Sequence, residues 1–350
     1  HTRLYTGTGS SQAVTNNANA GNFKPDWLWI KCRSDAASHK IFDSSRLDGS
    51  GNPQMVIQSN STSAENDVGN ADFTSIDANG FTVLGANATG ASSRTYVAWQ
   101  WKANGGTTSS NSNGSITSTV QANTTAGFSI VTYVSNNTEG ATFGHGLSSA
   151  PEIVIVKGRD SADNWAVFNG TSTTNSRSFH LDTTDAEIPV SSYNFWNLYW
   201  DETRPSSTVV TLGVDAKVNK SGNENFVAYC FHSVQGYSKI GKYIGNGNAD
   251  GTFVYTGFKP AWLIVKKYIG NARAWVIHDN TQDSINPTAN RLDANTNEEN
   301  QSSGHFDFLS NGFKCRSTEG ATNQDTHTFL YMAFAEHPFV SSKGVPVTAR

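Results

Sequence analysis

The sequence predicts an all-β protein made of three tandem β-sandwiches of a jelly-roll-like or lectin-like kind. Three observations carry the expectation: polarity supplied by amides and hydroxyls rather than charges, short apolar runs punctuated by glycine turns, and two strand motifs that each occur three times. Of 350 residues only 15% are charged, against about 25% in an average domain. Asn, Ser, Thr and 31 Gly make up the polar share, and these residues favour turns and strands over long helices. The apolar runs often alternate, as in Trp27-x-Trp29 and Phe306-x-Phe308, and none keeps a sustained 3.6-residue period.

The first motif is a strand led by proline. It reads Pro25-Asp-Trp27-Leu-Trp29-Ile-Lys31, then Pro151-Glu-Ile153-Val-Ile155-Val-Lys157, then Pro260-Ala-Trp262-Leu-Ile264-Val-Lys266. Proline suits a strand start, where its missing N–H costs least. The second motif closes each copy: Tyr96-Val-Ala-Trp99-Gln-Trp101, Phe226-Val-Ala-Tyr229-Cys-Phe231 and Phe329-Leu-Tyr331-Met-Ala-Phe334. The two motifs stand 71, 75 and 69 residues apart, a constancy that marks an internal repeat. Between them lie a second strand (His39–Asp43, Trp165–Phe168, Trp275–Asp279) and, in the outer copies, the hairpins Asn79-Gly80 and Asn311-Gly312. Asn-Gly predicts a tight turn with positive φ at both central positions. The middle copy carries Val209–Val214 in place of that hairpin.

The expected units are residues 1–104, 115–235 and 236–340, with 105–114 a flexible Gly/Ser/Asn linker and 341–350 a tail. Gln235-Gly236 joins the second and third copies directly, which predicts a stiff junction.

Several function classes fall away on charge and spacing. With 25 Lys plus Arg against 29 Asp plus Glu the net charge is −4, a poor match to nucleic acid. No run approaches the roughly 20 apolar residues of a membrane helix, so membrane insertion is not expected. The start, His1-Thr2-Arg3-Leu4, shows no signal-peptide pattern. Cys32, Cys230 and Cys315 sit in strand-like runs without zinc or CxxC spacing, so they read as buried thiols. Nine histidines show no HxH, HxxxH or HExxH, and no metal or other cofactor is expected. The glycine run 245–251 has neither dinucleotide-loop nor calcium-loop spacing and reads as a turn. Gly146-Leu-Ser148-Ser-Ala150 precedes a strand rather than a helix, so it is no nucleophile elbow. The copies share aromatics and glycines without a shared nucleophile or acid–base set, so a non-enzyme is expected.

One segment departs from the repeat. Residues 193–200 of the second copy hold five aromatics in eight positions: Tyr193, Phe195, Trp196, Tyr199 and Trp200, followed by Asp201 and Glu202. They read as a cap on the sandwich core, as a contact to a neighbouring subunit, or as a glycan platform of Tyr193, Trp196, Tyr199, Trp200 and Asp201. The core reading is preferred.

Three phrases carry a family resemblance. They are Asn123–Val131 with Gly144–Glu152, the junction Tyr229–Tyr243 with Gly245–Gly251, and Leu309–Lys314 with Tyr331–Phe339. Together they resemble a repeat domain of tailed bacteriophages, common in marine phage genomes, whose members are labelled tail, tail-fibre or structural proteins. The resemblance runs from residue 4 to about 341 and implies a virion component. It brings no catalytic or binding residues with it. The expectation is therefore a structural virion protein, part of a tail fibre or surface appendage involved in host attachment; a lectin-like module for host surface glycans is the alternative. Expected partners are other virion proteins and copies of itself. Narrow sandwiches have much surface for their core, so a homo-oligomer, a trimer if this is a fibre, is expected.

Overall fold

The computed structural model describes residues 1–17, 23–69, 71–172, 178–187 and 195–337, with the side chains of 195–197 outside the description. The fold is all-β, with several antiparallel sheets and two short helices, Phe195–Trp200 and Ala216–Asn219, among the described residues.

Each copy builds the same four-strand sheet in the same order: an opening strand, the closing strand, the Pro-led strand, and the strand that follows it. In the first copy these are Thr2–Thr6, Thr95–Trp101, Trp27–Cys32 and Lys40–Asp43. In the second they are Phe128–Val134, Asn225–Phe231, Ile153–Gly158 and Ala166–Asn169, and in the third Ser238–Ile244, Thr328–Ala335, Pro260–Lys267 and Trp275–Asp279. Register is kept as well as order. Trp27 lies opposite Trp101, Ile153 opposite Phe231 and Trp262 opposite Phe334. On the opening strands Tyr5, Tyr133 and Tyr243 stack on Tyr96, Phe226 and Phe329 with ring centroids 5.1, 5.3 and 5.0 Å apart. Their hydroxyls donate to the carbonyls of Thr89, Val218 and Thr322 at 2.6, 2.6 and 2.5 Å. A buried phenol needs such an acceptor, and the same one is provided three times.

A second, outer layer closes each sandwich. It is Gln12–Thr15 with Gly80–Val83 and Phe73–Asp77 in the first copy, Ala141–Gly144 with Val209–Leu212 in the second, and Phe253–Tyr255 with Gly312–Cys315 and Gln301–Leu309 in the third. Glycine is demanded at the hairpins, although not by two positive φ angles. The turn residues are Ala78-Asn79 and Ser310-Asn311, and Gly80 and Gly312 begin the next strand. A Cβ there would lie 2.1 Å from the Val14 carbonyl oxygen and 2.0 Å from that of Val254, so only glycine lets the neighbouring strand approach.

The Pro-led and closing strands are buried on both faces. One face, including Leu28, Ile30 and Ala98 in the first copy, fills that copy's own sandwich, as Val154 and Ala228 do in the second and Leu263 and Ala333 in the third. The opposite faces of all three copies meet in one further core that holds Trp27, Trp29, Trp99, Trp101, Ile153, Tyr229, Trp262 and Phe334. At its centre is a cavity of about 20 Å³ whose walls include Trp27, Ile153 and Trp262, and Trp29, Ile155 and Ile264. Each trio occupies equivalent positions in the three copies, so the cavity lies on a pseudo-threefold axis. The inner apolar faces of the three copies thus cover one another within one chain.

The expected linker is also part of the structure. Ser109–Asn111 pairs as an edge strand with Ser118–Asn123, and Gln121 Oε1 accepts from the amides of Asn104 and Gly106 at 3.2 and 2.8 Å. Asp26 Oδ2 holds the Gly105 amide at 2.8 Å. Gly and Asn at these positions serve tight backbone bonding rather than freedom. At the other junction a turn over Val234–Ser238, with Gly236 at φ 75°, connects the copies without a spacer. Residues 341–350 lie outside the described residues.

Candidate functional site

Titratable and hydrogen-bonding side chains concentrate where the copies meet. The penultimate residue of each Pro-led strand is a buried lysine: Lys31, Lys157 and Lys266. Lys157 Nζ donates to the Thr62 carbonyl of the first copy at 3.1 Å and to that of Asp163 at 3.0 Å. Lys31 Nζ reaches the Asn297 carbonyl of the third copy at 3.3 Å, and Lys266 Nζ the Thr184 carbonyl of the second at 3.0 Å. Burial pulls these amines down to about 8, about 8 and about 7 for Lys31, Lys157 and Lys266. Two residues further on, the carbonyls of Arg33, Arg159 and Tyr268 accept from the amides of Asn300, Glu65 and Glu187 at 2.9, 2.8 and 2.9 Å.

The same cyclic order, second copy to first, first to third, third to second, repeats at the next strand. Trp165 Nε1 donates to the Gln58 carbonyl and Trp275 Nε1 to that of His180, both over 2.9 Å. In the first copy His39 stands in this place. Its Nδ1 accepts from Trp29 Nε1 at 2.7 Å, so Nε2 carries the proton donated to the Asp293 carbonyl at 3.1 Å. Burial holds His39 well below the usual histidine range, in keeping with that neutral tautomer. Three head-to-tail interfaces of one hand close a ring, as heterologous contacts do when their rotation closes.

Between the first two copies a charge cluster adds to the contact. Arg46, buried, donates through Nε to Asp43 Oδ2 at 2.6 Å and through Nη1 to Glu65 Oε1 at 2.5 Å. Arg159 of the second copy takes the other Glu65 oxygen at 2.7 Å. The carboxylates beside it hold Arg46 above its ordinary value against the opposing effect of burial.

Two aromatics of the second copy's segment, Tyr199 and Trp200, belong to the core. Tyr199 and Trp200 are fully buried, so neither presents a ring to a sugar, and both are removed from the glycan platform that is the alternative reading of this segment. Trp200 Nε1 donates to Ser178 Oγ at 2.6 Å and its ring meets Phe168 edge-on. The Tyr199 hydroxyl lies 3.0 Å from His180 Nε2. Asp201 is partly exposed, and it and Glu202 end the helix with φ of 44° and 49°. Burial, then the neighbouring Glu139 and Glu202, raise the Asp201 carboxyl. Tyr193 and the side chain of Trp196 lie outside the described residues.

The loop 245–251 is a turn tied down by Asn323, whose Nδ2 donates to Asn246 Oδ1, the Asn248 carbonyl and the Ser317 carbonyl at 3.1, 2.7 and 2.9 Å. At one end of the axis a cleft of about 610 Å³ opens between the first and third copies, walled by Trp99, Trp101, Trp262 and Phe334 with Asn280 and Glu336 at its rim. Its rim groups bond to each other: Asn280 Nδ2 donates to Glu336 Oε1 at 2.7 Å, and Lys259 pairs with Glu336 Oε2 at 2.9 Å.

Fold and contacts together define an all-β repeat protein whose shared polar residues hold its copies to one another. The chain belongs to the family described as Domain of unknown function (DUF7483), whose model matches residues 1–338. Neither the curated proteins nor the solved structures contain a match.

Proposed function

We propose that the protein is a non-enzymatic structural component of a tailed-phage virion, part of a tail fibre or surface appendage that serves host attachment. The observation that carries the non-enzymatic half is the use made of the repeated chemistry. The lysines of the Pro-led strands, the tyrosines of the opening strands and the indoles of Trp165 and Trp275 are each spent on a carbonyl within their own copy or the next. The resemblance of three phrases to phage tail proteins supports the virion half. In this reading the partners are further copies of the chain and other virion proteins, and one closed block of three sandwiches is a stiff unit to build with.

The test is to raise antibodies against the recombinant chain and label intact phage particles for electron microscopy. Label confined to the tail or its appendages is the expected result. Unlabelled particles, or the chain recovered only from lysate and never from purified virions, would overturn the proposal. A second reading, recognition of host glycans, is favoured by exposed aromatic rings on the third copy.

A further inference from the structure

We infer that the outer face of the third copy, at Phe253 and Tyr255, is a binding site for a neutral saccharide. The inference rests on the attachment reading above. Phe253 and Tyr255 flank the inward-facing Val254 and are 45% and 66% exposed. Alternate residues of a strand share a face and stand about 6–7 Å apart, so the two rings form one surface on which successive sugar units can stack.

The other two copies act as an internal control. In the first, the positions flanking the inward Val14 are Ala13 and Thr15; in the second, Thr142 lies between the inward Ala141 and Phe143. At these positions the strand is therefore built twice without rings. Neither ring belongs to the buried core of the third copy, and the repeat plan does not call for them.

The surroundings select the partner. Opposite Tyr255 is Gly312, whose missing side chain leaves room for the edge of the Phe253 ring, and opposite Phe253 is Lys314. Lys314 and Arg316 pair with Asp250 at 2.5 and 3.1 Å, and Arg316 with Asp307 at 3.3 Å. These charges are satisfied among themselves, so the face has no net pull on an ionic partner. Flat rings bordered by self-paired charges suit a ligand with an apolar C–H face and neutral hydroxyls.

The experiment uses the full chain on an immobilised array of neutral hexose and N-acetylhexosamine oligosaccharides. The array member that binds most tightly is then titrated in solution against wild type and the Phe253→Ala/Tyr255→Ala double variant. The expected result is binding by wild type, at least a tenfold loss in the double variant, and an unchanged melting temperature. Equal binding by both proteins would overturn the site while leaving the attachment reading intact, because particle labelling tests that reading without sugars. A chain that binds no member of the array would overturn it too. So would a wild-type dimer that the double variant splits, since the face would then be covered by a second copy.

Discussion

The Tyr229 hydroxyl of the second copy donates to Asp43 Oδ2 of the first over 2.6 Å. One step round the ring, Trp99 Nε1 of the first copy donates to Asp279 Oδ2 of the third over 3.0 Å. Tyr229 and Trp99 are equivalent positions, as are Asp43 and Asp279. At the third interface the donor's place is taken by Met332, and the acceptor's by Asn169. Where no donor arrives, the carboxylate is replaced by a neutral amide, which bonds Glu187 Oε1 at 2.9 Å. A buried carboxylate is tolerated only with partners, and the three copies obey that rule one by one.

Asp43→Ala should therefore be among the costliest changes in the molecule. It leaves Arg46 buried with half its ion pairing, and breaking one side of a buried pair costs about 3–5 kcal/mol. Tyr229→Phe removes one bond to a charged group, worth about 1.5–3 kcal/mol. Urea midpoints of the two variants, read at equal m-value, check both figures and their order.

Replacing Lys157 with Met should loosen a loop in a different copy. The Thr62 carbonyl loses its donor, and such a hydrogen bond is worth about 0.5–1.5 kcal/mol. Amide exchange should quicken around residues 58–65 of the first copy. Lys266→Met should do the same around Thr184 of the second. Exchange that quickens only next to the substituted lysine would contradict the cyclic order.

Stability should depend on pH in two separate windows. His145 and His278 are pulled down by burial to about 4 and about 3. Their folded values lie below the unfolded value of about 6.5, so the unfolded chain binds more protons between them. The stability they permit is present above pH 6.5 and is lost as pH falls through 4 toward 3. For Lys31, Lys157 and Lys266, lowered to about 8, about 8 and about 7, the same sign holds higher up. Stability should rise from pH 7 toward the unfolded lysine value of about 10.4. Thermal melts at half-unit steps from pH 3 to 9.5 measure both limbs, and a flat upper limb would count against neutral buried lysines.

Trp200→Ala should cost about 3–5 kcal/mol of folding stability, as large-to-small changes at buried tryptophan do. Its ring is enclosed and its N–H is bonded to Ser178. A melting curve displaced by only a degree or two would mean that the ring is not core.

Much of this architecture was legible before the structure. The Pro-led and closing strands lie where the repeat places them, and even Tyr229 and Trp99 stand at matching offsets. What could not be read was the third layer. A sandwich strand with one solvated face alternates apolar and polar residues, whereas Trp27-Leu28-Trp29-Ile30 does not pause. Continuous apolar runs are the mark of strands covered on both sides, and here the second cover comes from the other copies. The buried lysines had a signal too, since the same residue type stands next to last in all three strands. A lysine near a strand end ordinarily points to water, so only the neighbouring loops reveal its role. At 105–114 composition misled, because Gly, Ser and Asn serve a tethered turn as well as a loose spacer. The crowding of aromatics at 193–200 could not show which rings are enclosed; among the described ones these are Tyr199 and Trp200.

Closing the ring within a single polypeptide has a consequence for how the molecule can change. In an assembly of three identical chains every substitution appears three times, so a change useful at one place must be harmless at two others. Here each position is altered alone. The residues around the axis are bound by their mutual fit, as the exchange of Asp for Asn169 opposite Met332 illustrates. The outward surfaces carry no such obligation to one another. Dilution cannot separate the three parts either, because covalent connection replaces concentration. One gene product can thus keep a symmetric centre while its three exteriors drift apart.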